Sequence, residues 1–281
     1  PPPRSRPALA KAVAWSICIL QMALGLGLVL VAVRIGERLG GRRAGLLAGI
    51  LAGANPILLQ YSSQPVSGLA AGICAGLALD AVLEPGDFRA GLKSGLWLGA
   101  AFLMAFQSLL IAAALAPLLV LRDGLSTGSK GRTLLPPSVR GILVGLGLAV
   151  IVQIGIDWAS FGTPGASFFN YLAQNIGPVF SSFLARIGLR SLAISVYKLN
   201  LALQGHAADP PENFALAAKQ SPWFYLVELP RMLVWPAIAA LALGFVRAAA
   251  KPSWKVALPA LAFLLNVLAM SNKGSKDFRL W

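Results

Sequence analysis

The stretch SGLWLGAAFLMAFQSLLIAAALAPLLVL, Ser94–Leu121, runs for 28 residues without a charge. A membrane-spanning helix needs roughly 17–25 apolar residues. The stretch therefore reads either as one long tilted helix or as two shorter segments broken near Ala105-Phe106-Gln107. Lysine and arginine in short loops collect on the cytoplasmic side of a membrane. With the break, loops 34–43, 80–93, 122–140 and 247–255 share one side and hold 13 basic residues, while the opposite turns near 61–67 and 106 hold none. Without it, the bases divide six against seven. The break is the expected arrangement. Its halves are expected to be too short to cross as ordinary helices and to be shielded by neighbouring protein, where irregular backbone is tolerated.

Other charge-free windows lie to either side: Ala12–Val33, Ala44–Leu79, Gly141–Ile156, Met232–Val246 and Val256–Asn272. The second is too long for one span, and its polar centre Tyr61-Ser-Ser-Gln-Pro-Val-Ser67 makes it a helical hairpin, Ala44–Gln60 and Val66–Leu83. The shorter windows gain length from flanking residues that sit at an interface, such as Arg140, Trp158, Trp235 and Trp254. Composition agrees. The chain of 281 residues is 57% hydrophobic and 12% charged, with mean hydropathy +0.73, against about 25% charged residues in soluble domains. Disorder is excluded, since disordered chains are poor in apolar residues. Two cysteines, Cys18 and Cys74, are too few for a disulfide framework, and one histidine, His206, cannot form a histidine zinc site. The net charge of +14 comes from a shortage of acids, 10 against 24 bases. It calls for no nucleic-acid partner.

The expected fold is all-α: a polytopic membrane protein whose helical bundle carries a long extracytoplasmic loop with an amphipathic helix. Residues 1–156 are assigned to the bundle, 157–231 to the outer loop, and 232–281 to two further spans followed by an outer-face motif. Within the loop, Val179–Leu203 has helical periodicity. Phe180, Leu184, Ile187, Ile194 and Leu201 can share one face, with Arg186 and Arg190 on another, where they would meet lipid headgroups. Glycine pairs four apart (Gly49/Gly53, Gly72/Gly76, Gly95/Gly99, Gly141/Gly145) read as close helix packing. The first methionine is Met22, and Pro1-Pro2-Pro3-Arg4-Ser5-Arg6-Pro7 is neither a start nor a signal peptide. The expectation is a fragment, lacking a preceding span and its outer loop and cut at Trp281.

Three outer-face stretches carry candidate chemistry. Asp157-Trp-Ala-Ser-Phe161-Gly162 is followed by Asn170, Tyr171 and Asn175. Carboxylates and amides satisfy sugar hydroxyls, and aromatic rings cover the apolar sugar face. Ser221-Pro222-Trp223-Phe224-Tyr225 leads into a span, and Ser275-Lys276-Asp277-Phe278-Arg279-Leu280 follows the last one. Lys276 and Arg279 are suited to grip a phosphate, because guanidinium matches phosphate oxygens in a fork geometry. The bland readings are an interfacial aromatic belt and helix-end anchoring charges.

In this order the stretches resemble the membrane-embedded GT-C glycosyltransferases, which use a sugar carried on a polyprenyl or dolichyl phosphate. The similarity is to dolichyl-phosphate-mannose-dependent mannosyltransferases of N-glycan and GPI assembly, and equally to bacterial polyprenyl-phosphate-sugar transferases. Asp157, Phe161-Gly162, Asn170 and Asn175 resemble the family's aspartate, aromatic-glycine pair and asparagines. Pro222-Trp223 and Tyr225 resemble its Pro-Trp-x-x-Tyr stretch. Lys276-Asp277-Phe278-Arg279-Leu280 matches its Lys-acid-x-Arg-apolar pattern, with Ser275 where the family has histidine.

The resemblance implies Asp157, Asn170, Asn175, Trp223 and Tyr225 around sugar and acceptor, and Lys276 and Arg279 on the donor phosphate. It also implies a glycan or glycolipid acceptor and a catalytic carboxylate in a first outer loop upstream of this chain. The chain by itself is then expected to be inactive, with Asp157 the weak candidate for a base within it. No residue set calls for a cofactor, and a divalent metal stays compatible with the reading. Richness in glycine, alanine and leucine points to a bacterial plasma membrane, with the endoplasmic reticulum as the alternative. A transporter or flippase for a lipid-linked substrate and a noncatalytic membrane scaffold are the competing classes.

Overall fold

Gly40 and Gly41 turn the first long helix, α1 (Pro7–Gly53), back on itself. Gly41 has φ 78°, in the left-handed region that favours glycine. The arms 7–39 and 42–53 pack antiparallel. Gly36 lies against Ala44, Gly45 and Ala48, Gly49 against Val33, and Gly53 against Val29. This computed structural model describes residues 7–55, 58–59, 67–83, 87–126, 135–171, 181, 184–185, 187–203, 235–250, 253–254, 257, 259–261 and 264. Regular structure among the described residues is entirely helical.

Helix α2 (Gly68–Val82) runs beside the first arm of α1 and parallel to it. Leu28 meets Gly72, Val31 meets Gly76, and Arg34 and Arg38 both reach Asp80. Helix α3 (Phe88–Met104) starts where the Asp87 carboxylate accepts the Ala90 N–H at 2.6 Å, a cap that satisfies one orphan donor of the first turn. It stops at Ala105, whose backbone is extended at φ −154° and ψ 107°. A 3₁₀ turn, Phe106–Ser108, leads into α4 (Leu109–Ser126).

The window Ser94–Leu121 is thus interrupted at 105–108. Its halves are short helices: α3 has 17 residues and α4 has 18, each roughly 25 Å long at 1.5 Å per residue, less than the roughly 30 Å of a bilayer's hydrocarbon core. The charge-free window undercounts them because Arg89, Lys93 and Arg122 lie inside the helices. Arg122 Nη1 donates to the Val82 carbonyl at 2.6 Å. This bond brings the far end of α4 back to the end of α2.

Helix α5 (Pro137–Phe161) begins with proline at a first-turn position, where its missing N–H costs nothing. It runs parallel to α3 along a seam of small residues. A Cβ on Gly91 would overlap the Ser138 carbonyl, one on Gly95 would lie 2.5 Å from Ile142 O, and one on Gly99 would lie 2.6 Å from the Ala149 Cβ. From the other side, a Cβ on Gly145 would lie 2.5 Å from the Gly95 backbone. Small residues four apart let helix backbones touch, the packing expected where lipid removes the hydrophobic drive between helices. Leu98, Leu115, Leu119, Val82 and Ile142 fill the core beside this seam.

These contacts sort the described residues up to 171 into two ends. At one, the basic end, lie Arg34, Arg38, Arg42, Arg43, Arg89, Lys93, Arg122 and Arg140. At the other, the aromatic end, lie 105–108 and 157–171. Two helices, Lys11–Gly53 and Pro137–Phe161, are long and apolar enough to cross a membrane. The Gly40–Gly41 turn limits the straight apolar run of the first of these to the arm ahead of it. Leu26, Leu30, Ile151 and Ile156 point outward from these helices. Helix α6 (Ala166–Tyr171) follows α5, and α7 (Arg190–Leu203) and α8 (Trp235–Ala250) lie further on.

The continuous amphipathic helix expected over Val179–Leu203 is corrected. Gly188 has φ 88°, and the Leu189 N–H bonds back to the Leu184 carbonyl, so one helix ends there and α7 starts at Arg190. Leu184 is buried while Ile187 and Ile194 are exposed. They do not form one face, because the left-handed glycine resets the helical phase.

The seam predicts a specific mutational pattern. Gly91→Ala and Gly145→Ala should each destabilise the protein by about 1–3 kcal/mol through overpacking. Gly147→Ala, where an added Cβ meets nothing within 4 Å, should be neutral or slightly stabilising. Thermal unfolding of the three variants in one detergent checks this.

Candidate functional site

The aromatic end is built around Asp157. This residue sits one turn before the end of α5, which Gly162 closes with φ 71° and an N–H bonded to the Trp158 carbonyl at 2.9 Å. The Phe161-Gly162 pair is therefore a helix stop, with glycine in the left-handed position such stops require. Two turns of chain later, α6 folds back over the end of α5.

Asp157 holds that fold-back in place. It is 1% exposed. Its Oδ1 accepts from Gln153 Nε2 at 2.8 Å and from the Ser167 hydroxyl, and its Oδ2 accepts the Ser167 N–H at 3.1 Å. Gln153 Nε2 also donates to Ser167 Oγ at 3.0 Å. A carboxylate buried without partners is costly, and donors aimed at both oxygens offset that cost. The i, i+4 spacing puts Gln153 on the same face as Asp157, and the Gly165 left-handed turn at φ 74° presents Ser167.

An aromatic layer lies over this anchor. Phe168 meets Phe102 edge-on at 5.6 Å between ring centroids and approaches Phe106 at 6.3 Å. Phe106 also meets Tyr171 at 5.1 Å and Phe102 at 5.1 Å. The 3₁₀ turn after Ala105 and helix α6 are thereby joined ring to ring, an arrangement worth about 0.5–1.5 kcal/mol per pair beyond area burial. Burial pushes the Tyr171 phenol up to about 12. Trp158, Phe161 and Phe169 are exposed at the same end, as in the aromatic belts of membrane interfaces.

Of the residues singled out in the sequence for sugar, acceptor, phosphate or headgroup contact, Asp157, Asn170 and Arg190 are described. Asp157 is buried and engaged by protein donors, Asn170 is exposed on α6, and Arg190 is exposed at the start of α7. Asn175, Arg186, Trp223, Tyr225, Lys276 and Arg279 lie outside the described residues. Gln153, Ser167, Phe102 and Phe168 went unnoticed in the sequence, and Phe106 was noted there only as part of the break. Of the first four, only Gln153 left a signal there, a polar residue four before Asp157 in an apolar helix. Among the described residues, no group of three His, Cys, Asp or Glu side chains could hold a metal ion. No protein-family model, curated protein or solved structure matches the chain.

Two outcomes follow from this geometry. Asp157→Ala strands the Ser167 N–H and the Gln153 amide, and should lower stability by about 1–3 kcal/mol in thermal unfolding. For Tyr171, folding favours the neutral phenol. Its stabilising contribution is complete below the unfolded value of about 10 and is lost as pH rises towards about 12. The difference in absorbance titration at 295 nm between wild type and Tyr171→Phe should have its midpoint near 12.

Proposed function

We propose that the protein is a multi-pass membrane glycosyltransferase. It moves a sugar from a polyprenyl- or dolichyl-phosphate donor to a glycan or glycolipid acceptor at the outer face of a bacterial plasma membrane. The observation that carries this reading is the order of three stretches along the chain: Asp157 to Asn175, Pro222-Trp223 to Tyr225, and Lys276 to Arg279. Support comes from the separation of basic and aromatic ends. Bases gather where loops would face the cytoplasm, and Asp157, Asn170 and the exposed aromatics gather at the opposite end.

In this reading an acceptor hydroxyl attacks the anomeric carbon, a carboxylate takes its proton, and the lipid phosphate leaves. Lys276 and Arg279 stabilise the charge that grows on the departing phosphate. Asn170, Asn175, Trp223 and Tyr225 contact sugar or acceptor. Asp157 has a positioning part: its oxygens face Gln153 and Ser167, and it holds α6 with Asn170 against the end of α5.

Arg279 gives the sharpest test. In the full-length enzyme, Arg279→Lys keeps the charge but loses the fork, and should reduce transfer about tenfold, whereas Arg279→Ala should reduce it about a hundredfold or more. Transfer from a radiolabelled polyprenyl-phosphate sugar, in membranes matched for protein level, measures both. Wild-type rates in both variants would return Arg279 to a helix-end anchor and remove the main support for the reading.

A further inference from the structure

The turn of the first hairpin gathers charge in a way the proposed reaction does not use. Asp80, buried near the end of α2, receives two arginines from α1: Arg34 Nε at 2.8 Å from Oδ2 and Arg38 Nε at 2.5 Å from Oδ1. One carboxylate against two guanidiniums leaves a full positive charge. A buried carboxylate is stable only with such partners, so the pairing also fixes the arginines in place. The Arg34 side chain stays 49% exposed while it is held.

The glycine turn then adds Arg42 and Arg43, both exposed, directly after Gly41. A Cβ on Gly41 would meet nothing within 4 Å, so the turn is open on its outer side. The other acid here, Glu37, lies against Gly45 of the second arm. Four arginines against Asp80 and Glu37 leave two positive charges at the tip of one hairpin. The surface on either side of this tip is apolar and open: Leu30 precedes Arg34, and Leu46, Leu47 and Ile50 follow Arg43, all exposed.

We propose that this tip, Arg34, Arg38, Arg42 and Arg43 organised by Asp80, binds the phosphate headgroup of an anionic phospholipid whose acyl chains lie along Leu46, Leu47 and Ile50. A free phosphate would satisfy the arginines alone, whereas a phospholipid answers both the charge and the apolar flanks. Guanidinium is the cation suited to phosphate oxygens. The site rests on the chain lying in a membrane, and it is independent of sugar transfer.

The test uses purified protein in a neutral maltoside detergent at low salt. Dioleoyl-phosphatidylglycerol, dioleoyl-phosphatidylcholine and inorganic phosphate are titrated separately, with binding read by native mass spectrometry and thermal shift. Phosphatidylglycerol should bind and stabilise at concentrations at least tenfold below phosphatidylcholine, and inorganic phosphate at equal concentration should do neither. Arg42→Gln/Arg43→Gln leaves the Asp80 pairs intact and should melt as wild type without lipid. Its affinity for phosphatidylglycerol should fall by about 30-fold, since each base near an anionic surface contributes about 1 kcal/mol and 1.4 kcal/mol is a tenfold change. Equal response to the two lipids, an equal effect of inorganic phosphate, or undiminished lipid affinity in the double variant would each overturn the site. Transfer activity, assayed separately, is unaffected by any of these outcomes.

Discussion

Backbone contact between α3 and α5 is the constraint from which the rest of the arrangement follows. Gly91, Gly95 and Gly99 meet Ser138, Ile142 and Ala149 in rising order, so the two helices run in the same direction. Parallel neighbours in sequence order need a return path, and α4 supplies it. The extended residue Ala105 and the 3₁₀ turn after it exist to start that return. Once α3 and α5 share a direction, the turn at 105–108 and the end of α5 must lie together. The rings of Phe102, Phe106, Phe168 and Tyr171 close that junction.

Charge reinforces the same polarity. Asp80 draws Arg34 and Arg38 to the end of α2, and Arg122 reaches the Val82 carbonyl from α4. Both contacts lie at the end away from Asp157. A carboxylate in a helix this apolar costs several kcal/mol unless paired, so each of the two acids buried among the described residues fixes the elements around it. Asp80 joins α1 to α2, and Asp157 joins α5 to α6. The same chemistry serves packing at both ends.

Much of the helical plan was legible in the sequence because charge distribution and glycine spacing report directly on it. The interruption near 105–107 followed from where the bases fall, and the glycine pairs marked real helix contacts. Helix lengths were less legible. Arginines can extend a helix beyond its apolar window by reaching back to a carbonyl, as Arg122 does. The α6 fold-back was hidden, because Ser167 and Phe168 look like ordinary loop residues until Gly162 and Gly165 bend the chain. Gly188 misled for the same reason. Its left-handed conformation breaks a periodicity that the side chains alone would carry through. Of the candidate site, Asp157 was visible as an acid in an apolar segment, but its partners were visible only through the i, i+4 position of Gln153.

The shared direction of α3 and α5 is the claim on which the two-ended arrangement stands, and cysteine crosslinking with a short bifunctional thiol reagent tests it most directly. In a chain whose Cys18 and Cys74 are replaced by serine, cysteines replacing Phe106 and Tyr171, whose rings lie 5.1 Å apart between centroids, should be joined by the reagent in native membranes. A pair replacing Phe106 and Val139, which packs with Val82 and Leu119 near the other end, should not. Crosslinking of the 106–139 pair in place of the 106–171 pair would mean that α5 runs against α3, and would contradict the account.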